Sequence, residues 1–226
     1  MGFNRLRVKE NAKVHYNVNK WNNVLVFLIY SVISGCISVI VNADSDFGVY
    51  AVLMGLLSVA INICVTNVIT LGFRGWYQKA IHREKLSIGS MFDGFKYNYG
   101  DNLLMMLLKN IYIALWSLLL LVPGIVKTYS YSMAEFIKSE NPNIPANRAI
   151  ELSKIMTNGH KADLFVLDLS FIGWHLLSCL TFGILEIVYV GPYYVAACAF
   201  AYEEIKAEAI AEGKINAAEF EYISVE

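Results

Sequence analysis

The chain has 226 residues, a length that fits one globular domain. However, 57% of it is hydrophobic, only 16% is charged and its mean hydropathy is +0.48, where soluble domains carry roughly 25% charge. One core of this size does not need that much apolar surface, and a net charge of −1 lacks the basic footprint of a nucleic-acid binder.

Residues 4–16 form a polar, basic lead (Arg5, Arg7, Lys9, Lys13) of helical character, and Trp21 stands where an interfacial aromatic belongs. The apolar run that follows, 24–41, is near the ~20 residues of a membrane span and longer than the ~7–15 of a signal-peptide core. The lead also contains Glu10, so the segment is read as a first span, 23–42, and not as a cleaved leader. Ser31, Gly35 and Ser38 lie near one stripe of it, which suits close helix contact. An acidic turn, Ala43-Asp44-Ser45-Asp46, precedes a second span at 48–73, whose helix runs on toward His82.

A polar segment with Arg74, Lys79, Arg83, Lys85 and Lys96 comes next. Inside it, 87–95 reads as a short interfacial helix offering Ile88, Met91, Phe92 and Phe95 to the bilayer. The third span is 102–122. Pro123-Gly124 makes a tight outer turn, because proline costs little in a first helical turn, and a fourth span covers 123–139. An amphipathic helix at 146–157 ends on Asn158-Gly159. Spans five and six occupy 163–181 and 183–203, and 204–226 is an acidic, alanine-rich cytoplasmic tail with a solvated helical part.

The expected fold is therefore all-α, a polytopic membrane bundle of six transmembrane helices with short interfacial helices, in a single domain over 1–203. Lys and Arg crowd the lead, 73–101, 138–161 and the tail, while the turns at 43–47, 122–124 and 181–183 hold none. Both termini are thus placed in the cytoplasm. Three times a short amphipathic segment meets a polar elbow and then a pair of spans. The elbows are Asn19-Lys20-Trp21-Asn22-Asn23-Val24, Gly100-Asp101-Asn102-Leu103 and Gly159-His160-Lys161-Ala162-Asp163-Leu164. The repeats run parallel. They describe either a pseudosymmetric bundle around a site or simply hairpins that resemble one another.

The stretch 115–137, then Asn141-Pro142, Ser153 to Lys161, Phe171-Ile172-Gly173-Trp174 and Gly191-Pro192-Tyr193-Tyr194 together resemble Domain of Unknown Function 975. This is a family of small integral proteins of the bacterial cytoplasmic membrane. The likeness runs over about 5–203 and is densest at 115–194. One departure is Ile187-Val188-Tyr189, where a tryptophan-valine pair is expected. A fainter likeness is to the membrane domain of some glycerophosphodiester phosphodiesterases, without their catalytic domain. The resemblance implies architecture and no mechanism.

Motifs of soluble enzymes are absent from the sequence: there is no G-x-x-x-x-G-K-[ST], H-E-x-x-H or G-x-S-x-G. Cys36, Cys64, Cys179 and Cys198 sit in apolar runs without metal or disulfide spacing, and His15, His82, His160 and His175 are scattered. No catalytic, cofactor or metal site is expected. Ionisable groups inside spans are the better lead, since each costs at least ~2.5–3.5 kcal/mol at the bilayer centre. Lys109 and Asp168 lie at similar depths and are expected to pair. Lys127 and Glu186 form a candidate outer pair, with His175 and Tyr129 completing its hydrogen bonds, unless Lys127 snorkels and Glu186 meets water. Glu135 is expected at the interface. Pro123, Gly124 and Pro192 mark backbone breaks that are tolerated only beside protein or a wet cavity.

Two readings of function follow. One is a non-enzymatic membrane protein with a partner, regulatory or envelope-protecting role. The other is a small transporter or lipid/peptide-handling protein with a site between the hairpins. The short outer turns leave the cytoplasmic elbows and tail as the place for a protein partner. Nothing in the sequence sets an oligomeric state.

Overall fold

A computed structural model describes residues 3–41, 53, 55, 60–82 and 86–221. The acidic turn at 43–47 and ten residues of the second span, 48–52, 54 and 56–59, lie outside them. The described residues are helical, with no strand among them. The helices are α1 (Arg5–Val18), α2 (Lys20–Val41), α3 (Asn67–Ala80), α4 (Tyr99–Leu119), α5 (Leu121–Ser130), α6 (Ala134–Glu140), α7 (Ala146–Met156), α8 (Lys161–Leu180) and α9 (Gly191–Ala211).

Two of them, α4 and α8, are long and apolar enough to cross a membrane, and only 17% and 22% of their most apolar stretches are buried inside the protein. Burial is concentrated in their first halves: Asn102, Met105 and Met106 on α4, and Leu164, Leu167 and Phe171 on α8. Their far ends stand clear of the core. Leu118 is 86% exposed and Leu180 is 78% exposed. The core itself gathers Trp76 and Tyr77 of α3, Phe136 of α6, Leu152 of α7, Phe171 of α8 and Tyr202 of α9.

The stretch expected as a single helix at 123–139 is two helices. The run Thr128-Tyr129-Ser130 is poor in strong helix formers, and α5 stops there. A turn at Tyr131 to Met133 follows before α6. Ser153 of α7 closes the break from the side: its hydroxyl donates to the Ser130 carbonyl (2.9 Å) and accepts from the Met133 N–H (3.2 Å). Thr157 donates to the same carbonyl at 3.3 Å. The helix at 146–157 is therefore a buried strut on one side, with Ser153 and Thr157 fully enclosed.

The two proline breaks have separate causes. The chain reverses between α4 and α5 at Leu120, which is extended (φ −158°, ψ 141°), so Pro123 falls inside the first turn of α5. There its missing N–H is harmless. Gly124 lets the hairpin close, since a Cβ at that position would lie 2.8 Å from Ser117 Cα. Before α9, the backbone widens into a π turn at Glu186–Val190. Pro192 cannot donate to the Val188 carbonyl four residues back. Tyr16 of α1 supplies the missing donor, with its hydroxyl 2.6 Å from that oxygen. This break is packed and satisfied by protein.

Two further expectations change. Met91 is fully buried against α3 and does not face outward, because the short turns at Ile88–Phe92 and Asp93–Lys96 fold onto that helix. The acidic tail is docked as far as it is described. Ile205, Ala209, Ile215 and Phe220 are buried, α9 runs on to Ala211 against α1, and Arg7 pairs with Glu204 at 2.6 Å. The last residues, 222–226, lie outside the description.

Candidate functional site: a polar cavity between the central helices

Arg74 on α3, Lys109 on α4 and Glu135 on α6 meet in the interior. Glu135 is 2% exposed; its Oε1 pairs with the Lys109 ammonium and its Oε2 lies 2.7 Å from Arg74 Nε. The Arg74 contact is ionic without hydrogen-bond alignment, and Oε2 finds no other partner. The guanidinium also lies over the Phe136 ring, 5.8 Å from its centroid. The break between α5 and α6 is what brings this carboxylate inward, two residues past the turn that Ser153 fixes.

Across from Arg74 stands Asp168 of α8. Its two oxygens accept from Tyr129 of α5 (2.8 Å) and Tyr194 of α9 (3.0 Å). Arg74, Tyr129, Asp168, Tyr194 and Cys198 line one cavity of about 110 Å³, together with Thr128, Ser132 and apolar side chains. At ~30 Å³ per molecule this is room for three or four waters. It offers a guanidinium on one wall and a carboxylate on the other, so it suits a small polar or ionic solute. The two aliphatic hydroxyls on its lining, Thr128 and Ser132, donate to the carbonyls of Gly124 and Tyr129 (3.1 and 2.9 Å).

The expected Lys109–Asp168 pair is replaced. Lys109 takes Glu135, which was expected at the interface, and Asp168 takes two tyrosines. A break in α5–α6 turns Glu135 toward α4, so the nearer carboxylate wins. The Lys127–Glu186 pair does not form either. Lys127 rests on the Trp116 ring, 4.7 Å from its centroid, and Glu186 meets His175 Nδ1 at 3.0 Å. Tyr129 belongs to the Asp168 cluster and not to an outer one. Of the sequence candidates, Asp168 and Tyr129 line the cavity, Lys109 pairs with Glu135 behind Arg74, and Pro123, Gly124 and Pro192 shape helices around it.

Arg74, Tyr194 and the central role of Glu135 were not read from the sequence. A usable signal was Gly72-Phe73-Arg74-Gly75, where glycines on either side of a charge mark a helix stretch built for close packing: a Cβ at Gly72 or Gly75 would collide with the Met91 carbonyl or Ser139. Lys138 was also missed. It is fully buried, and its ammonium donates to Asp101, to the Pro142 carbonyl at 2.7 Å and to the Ile144 carbonyl at 2.5 Å. All three of its protons are used, and the second elbow is bolted to the end of α6.

Outside the helices read as spans, titration follows packing. Burial lowers the His15 pKa below its ordinary value. The hydrogen bonds of Arg148 hold Glu219 below the usual carboxylate range. They come from Nε at 2.9 Å and Nη2 at 3.0 Å, and they clamp the tail to α7.

Residues 118–209 match the model of the family described as Protein of unknown function (DUF975). The match covers the densest part of the likeness and includes Tyr129, Glu135, Asp168 and Tyr194. No curated protein and no solved structure matches the chain.

Proposed function

We propose that this chain is a multi-pass protein of the bacterial cytoplasmic membrane, with six crossing segments, both termini inside, and a non-enzymatic role as a membrane partner or regulator or in envelope protection. One observation carries this reading: the far ends of α4, α5 and α8 expose continuous apolar surface, with Leu118 to Val122 and Leu176 to Leu180 mostly outside the core. Water would leave that surface exposed at roughly 25 cal/mol per Å², whereas lipid covers it. The exposed faces of Val14, Val18 and Trp21 near the first elbow fit an interfacial position. A non-enzymatic role is supported by the cavity lining, where the Thr128 and Ser132 hydroxyls are tied to carbonyls, the Tyr129 and Tyr194 hydroxyls to Asp168, and no histidine is present to activate them. The test is labelling of intact cells with an impermeant maleimide, using chains whose native cysteines are replaced and which carry Phe182→Cys or Lys214→Cys. Labelling at 182 alone is expected; labelling at 214, or at neither site, removes the topology.

A second reading, a small transporter or ligand-handling protein, is favoured by the cavity between Arg74 and Asp168. A solute held there raises the melting temperature of the purified protein, and Asp168→Asn abolishes the rise. If a panel of small ions and zwitterions leaves wild type unmoved, this reading falls.

A further inference from the structure

A separate groove opens between α4, α5 and α7, with a volume of about 590 Å³. Tyr112, Trp116, Lys127, Tyr131, Asn147 and Lys154 are on its walls. Lys127 is six residues past the start of α5, roughly 9 Å along the helix. Its ammonium lies on the Trp116 face, and no carboxylate among the described residues pairs with it. Lys154 and Lys161 are near enough to repel it. One acid, Glu151, also borders the groove, but its carboxylate is held by Arg148 at 2.8 Å. The groove therefore presents an excess of positive charge with amide and phenol donors around it. A cation this deep in an apolar setting without a counterion is costly, and none of the described residues supplies one.

We propose that this groove binds the phosphate headgroup of an anionic membrane lipid, with Lys127 and Lys154 as its cationic partners. The inference rests on the membrane reading given above. Lysine is a common point-charge partner for phosphate, and basic pockets between membrane helices take anionic headgroups. The volume lies in the usual range for ligand sites. What selects a lipid over free phosphate is the surface that continues from the groove. Leu115 and Leu119 of α4 lie three residues to either side of Trp116 or nearer, and both are exposed. A headgroup at Lys127 would lay its acyl chains along them.

Detergent-purified protein is titrated with phosphatidylglycerol and with phosphatidylcholine and read by native mass spectrometry, in parallel with Lys127→Met and Lys154→Gln. Lys154 is exposed, so its variant folds even where Lys127→Met does not. The expectation is a preference for phosphatidylglycerol that drops about fivefold with each lysine removed. No preference in wild type, or a preference that survives in Lys154→Gln, overturns the site. Equal stabilisation by inorganic phosphate alone overturns the lipid assignment. A flotation arm with phosphatidylcholine vesicles separates the two levels. Wild type that floats but shows no lipid preference refutes only the groove, and wild type that does not float refutes the membrane reading and the groove with it.

Discussion

The first halves of α4 and α8 and their second halves differ both in residues and in surroundings. The first halves are pinned among α3, α6, α7 and α9 and carry Asn102, Lys109 and Asp168 into the interior. The second halves carry no Asp, Glu, Lys or Arg, and their tips stand clear of the core. The stability of this fold is therefore set where the polar groups are. Each charge there must be matched, because burying one ion alone costs more than any single apolar contact returns. The outer halves contribute surface for lipid and little specificity.

The largest effect should come from breaking the match at its centre. In Glu135→Gln, Arg74 and Lys109 lose their shared anion while remaining enclosed. Removing one partner of a buried ion pair costs about 3–5 kcal/mol, so little folded protein should survive extraction and gel filtration. Glu135→Gln combined with Lys109→Met removes one of the two stranded cations and should recover part of the loss. A Glu135→Gln chain with an unchanged melting curve would mean that the inner half is held by apolar packing alone.

The same contrast explains what the sequence revealed. Apolar runs and turn residues are local signals, and they gave helix positions at α4 and α8 close to those observed, as well as the elbow at Gly159, whose φ of 98° suits glycine, while the second break falls at Asn98 (φ 48°), two residues before the elbow expected at Gly100. The match of 118–209 to a family model rests on the same residues. Partners were harder to read. Depth along an ideal span pairs Lys109 with Asp168, but depth carries no information about rotation, and the break at Tyr131 to Met133 rotates Glu135 into the place. That break depends on Ser153, which is twenty residues away and an unremarkable hydroxyl on an amphipathic helix. The docking of the tail through Arg148 and Glu219 is equally non-local. Pro192 shows the opposite case: its freed carbonyl was predictable, and only the donor, Tyr16, needed the fold.

The smallest effect is expected at the outermost point, and it sharpens the comparison most. Phe182 is 97% exposed and sits at φ 51°, a left-handed conformation that asparagine adopts more readily than a bulky aromatic. Phe182→Asn removes no internal contact and relaxes the turn, so its melting temperature in detergent should stay within the ~0.5 kcal/mol typical of surface changes. Its partition into lipid vesicles should fall, because an aromatic at the hairpin tip is replaced by an amide. Thermal scans in detergent and flotation assays on the same preparation separate the two. If the substitution instead destabilised the protein in detergent as Glu135→Gln does, the outer half would be part of the folded core, and the division between an inner half that specifies and an outer half that faces lipid would be wrong.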